Sequence, residues 1–425
     1  MALKMPLNFI LLAAVMLGAS AVAPAGDLYK ERTVRDPQFI GSVKDFSDDD
    51  LKNFTDPPRV SALYLDHSKI SDAGIKYLKQ MRALDTLYLS DTAVTDAGLN
   101  EFELQSHPKL HALYIGGAEI TDKGLEKLQL RSFPELEILR IGAPRMTAEG
   151  EKIGPSRVTD AGMAYVARLT SLRDLSLSNQ ITDAGLKNLL PLDRLMRLNL
   201  GENNHITDAG MAYLGQFRSL SLDVGSNRIT DASLTRLARL KSLGGFAIRS
   251  NQITDAGVKA LSGRGFFGPA LISDQITDDG LKYLQGTTLH ELEIGGPKVT
   301  DRGLRYLQGQ EWLSFLNLSK NSIKGEGLSY LVKLPHLKFL GLSDVTDSEL
   351  AYVAQLQHLE VLFVFRPKFT EAGLVHLKNL KELKCVDSLP APDNLERLQE
   401  ILPRCPLTEA NAPQWNKMCT PSAPK

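Results

Sequence analysis

One short phrase returns along this chain at nearly fixed intervals. Ile70-Ser-Asp-Ala-Gly-Ile75 is followed by Val94-Thr-Asp-Ala-Gly-Leu99, Ile120-Thr-Asp-Lys-Gly-Leu125, Val158-Thr-Asp-Ala-Gly-Met163, Ile181-Thr-Asp-Ala-Gly-Leu186 and Ile206-Thr-Asp-Ala-Gly-Met211. Further copies begin at Ile229, Ile253, Ile276, Val299, Ile323, Val345 and Phe369, with a degenerate first copy, Phe46-Ser-Asp-Asp-Asp-Leu51. These make fourteen units, spaced 22 to 26 residues apart except for one gap of 38 between Ile120 and Val158. A fixed period of this size means stacked units, because one unit is too small to enclose its own apolar face.

Between the phrases runs a second pattern, apolar-x-x-apolar-x-apolar, as in Leu84, Leu87, Leu89 or Leu172, Leu175, Leu177 or Leu313, Leu316, Leu318. Its last two members are two apart, the period of a strand with one buried face. After the glycine of each phrase the apolar residues stand three apart, as in Leu186 and Leu189 or Leu304 and Leu307, which is helical spacing. Each unit therefore reads as helix, turn and short strand. Stacking buries the leucines of neighbouring units against one another, each contributing about 1.5–3 kcal/mol when fully buried.

Strand pattern and period together resemble the leucine-rich-repeat family over about residues 46–389. Asparagine at the turn after the strand, a mark of that family, stands at Asn179, Asn204, Asn227, Asn251 and Asn321. The wording Ile-Thr-Asp-x-Gly-Leu is most similar to the ribonuclease-inhibitor-like, cysteine-containing-type repeats and to exported bacterial repeat proteins. The resemblance implies an α/β leucine-rich-repeat solenoid, a horseshoe of about 14 repeats with a parallel β-sheet on its concave face and helices on its convex face. It implies a binding role by analogy.

The ends suggest export and capping. Lys4, the apolar run Phe9–Leu17 and the small residues after it read as a signal peptide over residues 1–25, cleaved after Ala21 or Ala25. Residues 26–45 form an expected N-terminal cap, 46–389 the solenoid with an insertion at 142–157, and 390–425 a closing helix from Asp393 to Leu402 with a tail. No later segment is apolar enough to span a membrane, so the expected location is secreted, periplasmic or at the cell envelope. Three cysteines permit at most one bridge. Cys405 and Cys419, both after the closing helix, are the expected pair, with Cys385 an inward-facing free thiol of the last strand, Leu380-x-x-Leu383-x-Cys385.

Forty-nine basic and fifty acidic side chains leave a formal charge of -1, which gives no footprint for nucleic acid. No nucleophile elbow, phosphate loop, dinucleotide fingerprint or zinc-protease helix occurs. The eight histidines lack metal spacing. The expectation is a protein with no catalytic residues, no metal and no cofactor. The repeated Thr-Asp reads as a helix start, an oxygen side chain capping free amides and a carboxylate complementing the dipole. Asn53-Phe-Thr55 and Asn317-Leu-Ser319 match glycan acceptor triplets.

Third and fifth strand positions point away from the leucines and onto the open sheet. The fifth positions of the first four strands are Tyr64, Tyr88, Tyr114 and Arg140, an aromatic column ending in a guanidinium. Phe315 and Phe339 take adjacent third positions, and Phe363 a fifth position in the next strand. Exposed tyrosine and arginine dominate binding energies at interfaces, so the tyrosine column is the expected principal contact and the phenylalanines a second one. The function expected is recognition of a protein, peptide or glycan on this face. The other reading, substrate receptor of a ubiquitin ligase, rests on the similar repeats of F-box proteins. It needs a helical F-box before the repeats, for which residues 26–45 are too short.

Overall fold

The computed structural model describes residues 39–40, 45–53, 60–102, 107–116, 119–128, 135–142, 157–177, 180–202, 205–217, 220–240, 243–264, 268–389, 400–402 and 407–409. The signal segment, most of the N-terminal cap and of the 142–157 insertion, Cys405 and Cys419 lie outside them. The chain divides into two compact units, one over Pro24–Arg228 and one built on Ile229–Lys425.

In the first unit the strands are β1 (Phe39–Ile40), β2 (Ala62–Tyr64), β3 (Thr86–Tyr88), β4 (Ala112–Ile115), β5 (Ile138–Ile141), β6 (Asp174–Leu177), β7 (Arg197–Asn199) and β8 (Leu220–Gly225). Each pairs with the next in parallel, with Leu63, Leu87, Leu113, Leu139, Leu175, Leu198 and Leu222 in one register row. That row is buried. β1 adds a strand from the segment before the first repeat, Phe39 opposite Ala62.

The second unit contains β9 (Leu243–Arg249), β10 (Gly268–Ile272), β11 (Glu291–Thr300), β12 (Phe315–Asn317), β13 (Asn321–Ser322), β14 (Phe339–Ser343), β15 (Val361–Phe365), β16 (Cys385–Leu389) and β17 (Leu407–Glu409). These strands too are parallel, and Leu292, Leu316, Leu340, Leu362 and Val386 form the inward row. The closing strand β17 was not expected from sequence. It pairs with β16, Leu407 opposite Val386.

The repeated phrase builds more than a helix start. In the helix Asp183–Asn188, Thr182 holds extended dihedrals and its hydroxyl accepts from Ala184 N, a cap worth about 1 kcal/mol. The aspartate that follows does not serve its own helix alone. Asp183 Oδ1 accepts from Thr207 N at 2.8 Å and Oδ2 from Thr207 Oγ1 at 2.6 Å, one repeat further on. Asp72 to Thr95, Asp96 to Thr121, Asp122 to Thr159, Asp160 to Thr182, Asp231 to Thr254, Asp255 to Thr277, Asp278 to Thr300 and Asp347 to Thr370 repeat this pair of bonds. The glycine makes room for it: a Cβ on Gly210 would lie 2.1 Å from Asp183 Oδ1. Thr-Asp-x-Gly is thus a cap, a carboxylate latch and a gap for the previous latch.

Where no aspartate precedes, the chain finds a local substitute. Ser47, at the start of the described stack, takes its own Asp50 as a capping box, with Ser47 N to Asp50 Oδ2 at 2.8 Å. The unit at Ile323 reads Lys-Gly-Glu-Gly in place of Thr-Asp-x-Gly, and it forms a 3-10 helix over Glu326–Lys333 instead of the expected α-helix. The following Thr346 accordingly turns to its own Glu349, whose Oε2 accepts from Thr346 N at 2.8 Å and from its hydroxyl.

Two sequence expectations are corrected here. Cys385 is disulfide-bonded where a free thiol was expected, and Cys405 and Cys419, the expected pair, lie outside the described residues. Cys385 pairs with Val361, in the row of Phe315 and Phe339, on the open face of the sheet. Leu380 is the turn leucine of its repeat, as Leu356 is one repeat earlier, and the strand frame begins at Leu383. The Asn317 acceptor triplet also fails. Asn317 is 1% exposed and its Oδ1 accepts from Ser319 N at 3.0 Å, leaving no access for a glycosylating enzyme.

Candidate functional site

The first unit gathers the predicted column as expected. Tyr64, Tyr88, Tyr114 and Arg140 stand opposite one another across β2 to β5. The tyrosine rings stack, Tyr64 on Tyr88 with centroids 4.5 Å apart and 19° between planes, and Tyr88 on Tyr114 at 3.8 Å and 9°. The Arg140 guanidinium lies 5.3 Å from the Tyr114 centroid, close enough for a cation–π contact. Strand spacing of about 4.8 Å imposes this stacking once the same residue type recurs at one position. Burial between two rings, and then the facing Tyr114, push the Tyr88 hydroxyl well above the ordinary tyrosine range. It remains neutral and a hydrogen-bond donor throughout the physiological range.

The column runs into a charged group that the sequence reading did not single out. Asp174 is 3% exposed, and its Oδ2 accepts from Arg197 Nε at 2.9 Å and from Arg140 Nη2 at 3.5 Å. Arg140 Nε is buried with no hydrogen-bond partner. One carboxylate therefore holds two guanidiniums at the edge of the stack. Along the strand starts, Arg173 Nε lies 3.2 Å from Glu137 Oε2, and His111 Nε2 3.8 Å from the same oxygen. Charged residues at the third positions of neighbouring strands, Asp174 beside Arg197, were the available signal.

Stacking restricts what this face offers. Ring faces inside the column are used on each other, so the face presents ring edges, hydroxyls and the Arg140–Asp174–Arg197 group.

The second unit departs from expectation. Phe315 and Phe339 stack at 4.1 Å and 11°, with Phe363 in the adjoining strand, but all three are buried, 4%, 1% and 5% exposed, in a cluster with Ala247, Ala270 and Val361. They are not the exposed second contact predicted from their positions. Beside Phe315 in the same row stands Glu291, 2% exposed, whose carboxyl is pushed up to about 8 by burial.

That shift has a definite sign. A folded-state value above the ordinary 4.5 means that the stability linked to Glu291 is complete below about pH 4.5 and is lost as the pH rises toward 8. Glu291→Gln, which removes the titration and keeps the shape, should melt above wild type from pH 5 upward, with the gap widening to pH 8. Parallel melting curves of the two proteins across that range would show that the carboxyl is not buried.

Among the described residues no group of three His, Cys, Asp or Glu side chains is placed to hold a metal ion. Nor is any helix there long and apolar enough to cross a membrane.

A leucine-rich-repeat family model matches residues 106–128, 195–215, 246–262 and 310–332, each within the repeats described above. The chain carries leucine-rich repeats at those four places. None of the curated proteins matches it. Among solved structures it is similar to an internalin (inlF) from Listeria monocytogenes, at 21% identity and a TM-score of 0.38, covering 85% of this chain and 88% of that one. It is also similar to TLR13 in a complex with ssRNA13, at 17% identity and a TM-score of 0.46, covering 86% of this chain and 54% of that one. Leucine-rich-repeat proteins are commonly recognition modules.

Proposed function

We propose that this leucine-rich-repeat protein is an exported, non-catalytic recognition module that binds a protein or peptide on the open sheet face of its first unit. The observation that carries the reading is the partly exposed stack of Tyr64, Tyr88 and Tyr114 closed by Arg140. The inward leucines already supply the core, so the fold has no packing need for large aromatic rings on the other face of β2, β3 and β4. Amphipathic rings held in one conformation lose little entropy on binding, and tyrosine and arginine are enriched where truncation costs most. Export rests on the N-terminal charged, apolar and small-residue segments, which predict a mature chain starting at Val22 or Gly26.

The test compares proteins captured from the surrounding medium by immobilised wild type and by Tyr88→Ala and Tyr114→Ala. A captured partner should be lost in both variants, by at least about tenfold for a contact worth roughly 1.4 kcal/mol or more. Undiminished capture by variants with an unchanged circular dichroism spectrum would remove the tyrosine column as the binding surface.

A further inference from the structure

Within the second unit the carboxylate latch runs through successive repeats until the one that begins at Ile323. Asp231 holds Thr254, Asp255 holds Thr277 and Asp278 holds Thr300. Asp301 then accepts from Lys324 N at 2.9 Å and from Gly327 N at 3.0 Å. The repeat of Ile323 has Gly325 where its neighbours have the aspartate, so it has no carboxylate at that place to offer Thr346. Gly325 holds a φ of 106°, which favours glycine, and a Cβ there would lie 3.3 Å from the Tyr352 ring. One repeat later the latch resumes, from Asp347 to Thr370.

The repeat on the far side is built to start without help. Glu349 stands where Gly303 and Gly373 leave room for the carboxylate of the repeat before. Its own Oε2 accepts from Thr346 N at 2.8 Å and from the Thr346 hydroxyl, the two groups a latch would hold. Ser47, at the start of the described stack, shows the same arrangement. Asp50 takes the glycine place there, and its Oδ2 accepts from Ser47 N at 2.8 Å and from Ser47 Oγ at 2.7 Å. A helix start of the kind that opens the stack thus recurs inside it. The sheet does not share the break. β14 pairs with β15 from Phe339 opposite Val361 to Ser343 opposite Phe365. Lys338 Nζ lies 3.1 Å from Glu360 Oε1, and Asp344 holds Arg366 Nη2 at 2.5 Å and Lys368 Nζ at 2.9 Å across the same junction.

We propose that the helix layer of the second unit has a seam between the repeats of Ile323 and Val345. The helices Asp347–Val353 and Glu371–Leu377, latched to each other, open together there while β14 and β15 stay joined and the repeats before Gly325 stay closed. In a stack each repeat is stabilised by its nearest neighbours, so a missing neighbour contact divides the stack where it falls. Segments of different local stability then open separately. Self-capping is what makes this junction suited to opening. When the helices part, Thr346 keeps both bonds, because their acceptor belongs to its own helix. At a latched junction the same movement strips the threonine amide and hydroxyl of their acceptor at once, as for Thr300 and Asp278.

Amide hydrogen exchange of the full chain tests the seam without a ligand. In the wild type, Asp347–Val353 and Glu371–Leu377 should share one protection level, and Asp278–Tyr283 and Asp301–Leu304 another at least about tenfold higher. Asp347→Ala cuts the latch beyond the seam, and Asp278→Ala cuts one before it. Asp347→Ala should speed exchange in the first pair of helices by at least about tenfold and leave the second pair within about twofold of wild type. Asp278→Ala should do the reverse, and β14 and β15 should keep their protection in both variants. Four helices that share one level in the wild type, or that respond alike to either substitution, would make the stack a single cooperative body and overturn the proposal. So would Asp347→Ala leaving Glu371–Leu377 unchanged. The wild-type measurement decides by itself should a variant fail to fold, and none of these readouts involves the tyrosine column.

Discussion

Replacing Asp278 by alanine should lower the stability of the chain by about 3 kcal/mol, whereas replacing its neighbour Asp279 should cost no more than about 1 kcal/mol. Both carboxylates lie in the first turn of the helix Asp278–Tyr283, and both complement its dipole. Only Asp278 reaches the next repeat, accepting from Thr300 N at 2.8 Å and from Thr300 Oγ1 at 2.9 Å. Asp279 is exposed. A dipole contribution alone is worth about 0.3–1 kcal/mol and would make the two substitutions equal. Hydrogen bonds to a charged group contribute about 1.5–3 kcal/mol each, and Asp278→Ala also leaves a backbone amide without its acceptor. Urea unfolding of the two variants in the same buffer separates the readings. Equal midpoints would reduce the latch to a dipole effect.

Gly303→Val tests the same junction from the other side. A Cβ there would sit 2.6 Å from Asp278 Oδ1 and 2.9 Å from Leu281 Cδ1, so the larger side chain must displace the carboxylate from Thr300. The latch explains why glycine recurs in the first turn of a helix, where it is about 1 kcal/mol less favourable than alanine. That cost, repeated along the chain, was the sequence signal for a close approach. It could not be read as a latch because the partner lies 22 to 25 residues away in most copies, beyond any local pattern.

The repeat architecture was legible because stacking turns one local rule into a global one. Every inward leucine is fixed by the period of two within its strand and by the same position in the neighbouring strand, so the row Leu63, Leu87 and Leu113 follows from spacing alone. The stack of Tyr64, Tyr88 and Tyr114 was legible for the same reason. Frame was harder to read. Runs such as Leu169, Leu172 and Leu175 keep a spacing of three from the turn into the strand, and a frame set one leucine early looks equally regular. That shift placed Cys385 on the inner face as a free thiol, whereas it lies on the open face and is disulfide-bonded. The Arg140–Asp174–Arg197 group was missed because it joins the fifth position of β5 to the third positions of β6 and β7, a diagonal that column-by-column reading does not follow.

The burial of the phenylalanine column makes the second large prediction. Phe339→Ala should cost about 3–5 kcal/mol, the usual range for emptying a buried aromatic site. Its ring is 1% exposed, lies 4.1 Å from Phe315 and belongs to the cluster with Val361, Phe363, Ala247 and Ala270. Alanine at this place leaves a cavity that parallel strands cannot close, because their separation is set by backbone hydrogen bonds at about 4.8 Å. Tyr114→Ala removes a partly exposed ring and one stacking contact, and its expected cost is roughly 1–2 kcal/mol. The order matters for function as well as stability. An alanine scan for ligand contacts is clean on the tyrosine column and confounded by unfolding on the phenylalanine column. Denaturant midpoints of the two variants decide it. A Phe339→Ala protein within about 1 kcal/mol of wild type would mean that the ring is uncovered in solution, and would return Phe315, Phe339 and Phe363 to the candidate binding surface.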